Sequence, residues 1–100
     1  MVKHIILWTL DKSLSADELV AVKQGIKEGL ESLKGRIDGL VEIKVYTAPL
    51  PTANCDVMLE SVFTSPEALG FYATHPEHVA VANEKVRPYT SSRVCMDCEF

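Results

Sequence analysis

The chain has 100 residues, which suits a single domain and is too short for two self-sufficient cores, because a domain of this size buries only about two-thirds of its unfolded surface. With 47% hydrophobic and 24% charged residues it lies in the globular range, and intrinsic disorder is not expected. A net charge of -4 without a basic cluster argues against nucleic acid and against an anionic membrane surface as partners.

Residues Lys3 to Leu10 alternate His4, Ile6 and Trp8 against Ile5, Leu7 and Thr9, a period-2 pattern that predicts a strand with both faces largely apolar. Asp11 to Leu14 turns the chain. Ser15-Ala16-Asp17-Glu18 then has the form of a capping box, in which the Ser hydroxyl accepts an orphan helix N–H and Glu18 reaches back. Leu19, Val22, Ile26, Leu30 and Leu33 follow at helical spacing, with Lys23, Lys27, Glu28, Glu31 and Lys34 on the solvated side. Gly25 and Gly29 share a face of this helix, where they either permit a close approach or are simply tolerated.

Gly35 and Gly39 bracket a turn into a second strand over Val41 to Thr47. The segment Ala48 to Asn54 contains Pro49 and Pro51, which lack the N–H a ladder needs, so it reads as an exposed loop before a third strand over Cys55 to Phe63. Ser65-Pro66-Glu67 is a helix start: Ser caps, Pro fits the first turn and Glu suits the positive end of the macrodipole. Pro76 interrupts this helix and begins another piece that runs to about Val86, and Ser92 to Phe100 forms the last strand.

This order predicts one α+β domain over residues 1–100, a ferredoxin-like βαββαβ unit whose four-stranded antiparallel sheet carries both helices on one face. The other face stays apolar, and a monomer is not expected to expose a patch that large, so a homodimer packed sheet to sheet is implied. No apolar run nears the roughly 20 residues of a membrane span, and Met1 to Leu10 is too short and strand-like for a signal peptide. Three cysteines, an odd number, fit reduced thiols, so a cytoplasmic location is expected.

Val2-Lys3-His4-Ile5-Ile6, Phe63-Thr64-Ser65-Pro66-Glu67-Ala68-Leu69 and His75-Pro76-Glu77-His78-Val79 together resemble the stress-responsive A/B barrel (Dabb) domain family over essentially the whole chain. The resemblance implies a dimeric α/β barrel. Within that family a plant polyketide cyclase performs an intramolecular aldol condensation without metal or cofactor. By resemblance His78 stands at its catalytic histidine, Tyr72 at a pocket tyrosine, Asp97 at a carboxylate supporting the histidine, and His4 at a histidine of the first strand. Val57 and Leu30 stand where that enzyme has a second histidine and a further tyrosine.

An aldol step needs a base near neutral pKa, which fits His78; Asp97 would hold its ring, and Tyr72 would donate to a developing enolate oxygen. The alternative is that His78, Asp97 and His4 form one hydrogen-bonded cluster between helix and sheet. His4, Tyr72 and His78 are thus the expected ligand contacts, for a small, partly apolar molecule. The enzyme reading requires a cavity of a few hundred Å³ at His78, and the remaining possibility is a structural protein with no ligand.

No metal or cofactor is expected: His75 and His78 are three apart, but no third ligand is near and Pro76 puts His75 at a cap. Cys95-Met96-Asp97-Cys98 has the spacing of a redox or zinc pair, yet in a strand, residues three apart face opposite sides.

Overall fold

Alternation in the first ten residues becomes β1 (Val2–Leu10), which buries Val2, His4, Ile6, Trp8 and Leu10 and leaves Lys3, Ile5, Leu7 and Thr9 partly exposed. The coordinates are a computed structural model that describes residues 1–100. The Ser15 capping box is formed in both directions, with Glu18 N–H donating to Ser15 Oγ over 3.2 Å and Ser15 N–H to Glu18 Oε1 over 3.0 Å. It starts α1 (Ala16–Glu31), which buries Ile26 and Leu30 against the sheet, with Leu33 following them just past its end.

After the turn come β2 (Leu40–Tyr46), β3 (Val57–Phe63), α2 (Pro66–Thr74), α3 (Pro76–Val81) and β4 (Thr90–Glu99). The strands lie in the order β2-β3-β1-β4, all neighbours antiparallel, which is the ferredoxin-like arrangement. Strand ends shift by one or two residues from the sequence reading, β2 starting at Leu40 and β4 at Thr90, and two of the differences have a visible cause. β3 begins at Val57 instead of Cys55, since Asp56 ties the loop to β1: its N–H donates to Trp8 O over 2.9 Å and its carboxylate accepts Leu10 N–H over 2.8 Å. The second helical piece also stops being α-helical at Val81. It widens into a π turn (Ala82–Val86), then a 3-10 turn (Arg87–Tyr89) around Pro88, which has no N–H with which to extend the helix.

The helices cover β2, β3 and β1 and leave β4 with no helix over it. Both faces of β4 are therefore exposed, from Ser91 to Glu99. On the far side of the sheet, Ile5, Leu7, Met58 and Val62 are partly exposed, and Val94 and Met96 are 59% and 65% exposed. Ile5, Leu7, Val94 and Met96 make this face apolar along β1 and β4, with Lys3, Lys44 and Glu60 as charged residues on the same side. The β2 edge is closed differently: Glu31 accepts Val45 N–H over 2.9 Å and Lys27 donates to Val45 O over 2.9 Å. Lys27, expected on the solvated side of α1, is thus drawn to an unpaired strand edge, where a charge also blocks further strand addition.

The two α1 glycines separate. A Cβ at Gly29 would lie 2.9 Å from Val81 Cγ1, so here α1 and α3 approach closely, whereas at Gly25 the nearest atom, Lys85 Cδ, is an ordinary 3.6 Å away. Gly25→Ala is expected to raise stability by about 0.5–1 kcal/mol through helix propensity, and Gly29→Ala to cancel or reverse that gain through the clash. Paired thermal melts check this; an equal rise in both variants would contradict the close packing.

Candidate functional site

Two helix starts place the chemistry. Ser65 caps α2 by accepting Ala68 N–H over 3.1 Å, with Pro66 at its first position, and α2 delivers Tyr72 into the core. α2 ends before Pro76 because the residue preceding a proline avoids helical geometry, and His75 takes an extended conformation, φ -64° and ψ 133°. His75 then caps α3, its Nδ1 accepting Glu77 N–H over 3.2 Å. That bond occupies His75 in local structure.

His78, one turn into α3, is half-buried, and its Nδ1 lies 3.2 Å from Ala73 O. A carbonyl only accepts, so Nδ1 carries the proton and Nε2 keeps the free lone pair. The His78 ring stacks on Tyr72, centroids 4.1 Å apart and planes tilted 32°, and Tyr72 packs in turn on Phe63 at 4.9 Å. Burial lowers the His78 pKa from its ordinary 6.5, opposed by the Ala73 bond and helped by the charges of His4, Arg87 and Arg93. It is a neutral imidazole at physiological pH.

Tyr72 is 1% exposed, and its hydroxyl is buried with no hydrogen-bond partner. Burial pushes its pKa far above the ordinary phenol value, so it remains a protonated donor at any working pH. An orphan buried hydroxyl is uncommon in a native structure and calls for an occupant.

Asp97 stands elsewhere than expected. The β1–β4 register sets it opposite His4, and the two side chains bond directly through His4 Nδ1, so the carboxylate serves His4 and the orienting role at His78 falls to Ala73. The polar residues thus form two groups, His4 with Asp97 on the sheet and Tyr72 with His78 on the helices. Cys95 joins the first, its Sγ 3.5 Å from Asp97 Oδ1 and 3.8 Å from His4 Nδ1. These three donors lie within 4.8 Å of one another, a set whose chemistry suits zinc, although the His4–Asp97 bond already satisfies two of them. Burial, then the neighbouring Asp97 charge, raises the Cys95 pKa, so its thiol stays protonated. Cys98 stands opposite Lys3 on the other face of β4, so alternation keeps it apart from Cys95, and Cys55 in the loop before β3 is free as well.

Between the helices and β1 lies a cavity of about 330 Å³. His4, Tyr72 and His78 all border it, with Ile6, Trp8, Leu30, Leu59 and Leu69 as apolar wall. The π turn contributes Ala82 and Val86, both buried, and the exposed Arg87 and Arg93 also line it. Arg93 and Trp8 were legible in principle, since residues 93, 95 and 97 share one strand face and Trp8 shares another with His4 and Ile6; Arg87 carries no such signal. No helix is long and apolar enough to cross a membrane.

Among solved structures, a dimeric protein of unknown function and ferredoxin-like fold from Bacteroides fragilis is 35% identical, covering 99% of this chain and 95% of its own, with a TM-score of 0.92. A Dabb family protein with a ferredoxin-like fold from Mesorhizobium loti is 19% identical, covering 99% and 95% with a TM-score of 0.75. The hydroxynitrile lyase from Passiflora edulis is 20% identical, covering 97% and 90% with a TM-score of 0.69, a likeness of fold alone. No curated protein matches the chain. Since the model of the stress responsive A/B barrel domain matches residues 2–100, and the Bacteroides protein shares both fold and a third of its residues, the chain belongs to the stress responsive A/B barrel domain family.

Proposed function

We propose that this protein is a cytoplasmic homodimer, paired through the open face of its sheet, that binds a small, partly apolar carbonyl compound in the cavity and moves a proton on it with His78 as base. The observation that carries this reading is the partnerless Tyr72 hydroxyl beside the neutral His78 at the wall of a 330 Å³ cavity. A cavity of about this size is at the lower end of small-molecule sites. Free cysteines suit a reducing compartment, and the apolar sheet face and a relative described as dimeric support pairing.

In the proposed step His78 Nε2 takes a proton from the carbon next to the carbonyl. The C–H electron pair becomes the enolate C=C bond, and the carbonyl π electrons move onto oxygen. Tyr72 donates its hydrogen bond to that oxygen, an interaction that strengthens as the charge develops. The imidazolium then returns its proton, either to carbon or to the oxygen of a second carbonyl attacked by the enolate in an aldol closure. Apolar walls exclude water from the enolate, and His4, held by Asp97, faces the cavity from the sheet.

Deuterium uptake at the α-carbon of alkyl and aryl ketones in D₂O, followed by NMR, tests this without knowledge of the natural substrate. Exchange above the buffer rate is expected. Because the folded pKa of His78 lies below 6.5, the rate should rise with pH on a limb below 6.5 and be level from there to about pH 8. A limb centred above pH 7 would exclude His78 as the base. The same depressed pKa lowers stability on acidification, since below 6.5 the unfolded chain takes up a proton that the folded chain resists.

Ligand binding without turnover is the second reading. It is favoured by the apolar Leu30 in the cavity wall and the buried Val57, where the cyclase that the sequence resembles has polar residues. Saturable binding with no exchange would select it.

A further inference from the structure

The charge around the cavity is the reverse of that of the chain. The protein carries 14 acidic residues against 10 basic ones, yet no Asp or Glu lines the cavity, while Arg87 and Arg93 both do. Of the three arginines, Arg36 pairs with Glu77; the two at the cavity form no ion pair. Arg87 is held by a neutral partner, the amide oxygen of Asn83, and Arg93 stands on the uncovered inner face of β4 opposite Trp8. The nearby carboxylate of Asp97 is engaged by His4. Two uncompensated guanidiniums beside an apolar wall are what an anionic headgroup on an apolar body requires, because the planar fork matches a carboxylate in a bidentate manner.

We propose that the ligand is an organic carboxylate, its apolar part within the cavity and its anionic group held at the mouth by Arg93 and Arg87. This rests on the cavity being a ligand site, as argued above, and adds the chemical class. With the carboxylate at the arginines the phenol is left for the carbonyl oxygen, so a substrate bearing both groups, an oxo acid with an apolar body, would engage the Tyr72 hydroxyl and both guanidiniums. Both arginine charges reach His78, since each contributes to lowering its pKa; a bound carboxylate offsets them and makes the imidazole a stronger base when the site is filled.

Titration calorimetry of the intact protein at low salt tests this with straight-chain and phenyl-substituted carboxylates of four to ten carbons, each beside its primary amide. At least one carboxylate is expected to bind about tenfold or more tightly than its amide, the usual gain of a charge-assisted bond. Arg93→Gln, and more fully Arg93→Gln with Arg87→Gln, should bring the pair to near equality by weakening the carboxylate and not the amide. The amide's retained binding reports that the cavity is intact. Equal affinity of acid and amide in the wild type, or a preference that survives the double substitution, overturns the proposal. If no acid or amide binds while ketones still exchange their α-protons, the anionic class is wrong and the cavity reading stands. If neither binding nor exchange occurs, both are wrong.

Discussion

His78→Ala is expected to lower the α-proton exchange rate by about 10²–10⁴-fold, the usual contribution of a positioned general base, with the fold retained because the side chain is only half-buried. Tyr72→Phe should cost about 10²–10³-fold, as for removal of one oxyanion donor. Its effect on stability is the more telling. A buried tyrosine hydroxyl bonded within the protein would cost about 1–3 kcal/mol to remove, whereas the Tyr72 hydroxyl has no partner, so its removal should leave the melting temperature level or raise it. Loss of rate without loss of stability marks a group held ready for something outside the chain. A Tyr72→Phe variant that melts clearly lower while exchanging normally would return the phenol to a structural role. The two substitutions combined should cost little more than the larger of them, since both act on one transition state.

Asp97→Asn is expected to be milder than His78→Ala, because the carboxylate touches His4 and Cys95. A loss as deep as that of His78→Ala would mean that the His4–Asp97 pair takes part directly.

Placing charge on the sheet face is the second large effect. Val94 and Met96 project from β4 at 59% and 65% exposure, so an aspartate at either position meets water in a lone protomer and leaves its fold intact. In a dimer paired across this face the same carboxylates would be desolvated opposite apolar side chains, at a cost of several kcal/mol per ion. Val94→Asp with Met96→Asp should therefore weaken association by at least about a hundredfold, each 1.4 kcal/mol being tenfold. Sedimentation at low micromolar concentration should show a wild-type dimer and a folded variant monomer. Variants that remain dimeric would remove this face as the interface.

Legibility in the sequence followed the range of the interactions. The Ser15 capping box, the Ser65 cap, the α1 stripe and the alternation of β1 and β3 depend on residues within a few positions of one another, and the elements they predict are present. Where tertiary contacts competed, the edges moved: Asp56 bonds to β1 and shortens β3, and the π turn ends α3 at Val81. Tyr72 and His78 were named through the family resemblance, which the Pro66 and Pro76 helix starts around them help to carry. The same resemblance assigned Asp97 to His78, but its partner is chosen by a strand pairing across 93 positions of sequence, which gives it to His4.

By itself, the sequence of this chain determined its βαββαβ order, the apolar second face of its sheet, and the HPEHV segment that carries His78. Only the tertiary structure decided that Asp97 goes to His4, that Ala73 orients His78, that Tyr72 is left without a partner, and that Arg87 and Arg93 meet at one cavity. The physical reason is that periodicity records which face of an element is buried, while partnership across a cavity depends on strand register and on the helical repeat at a single turn.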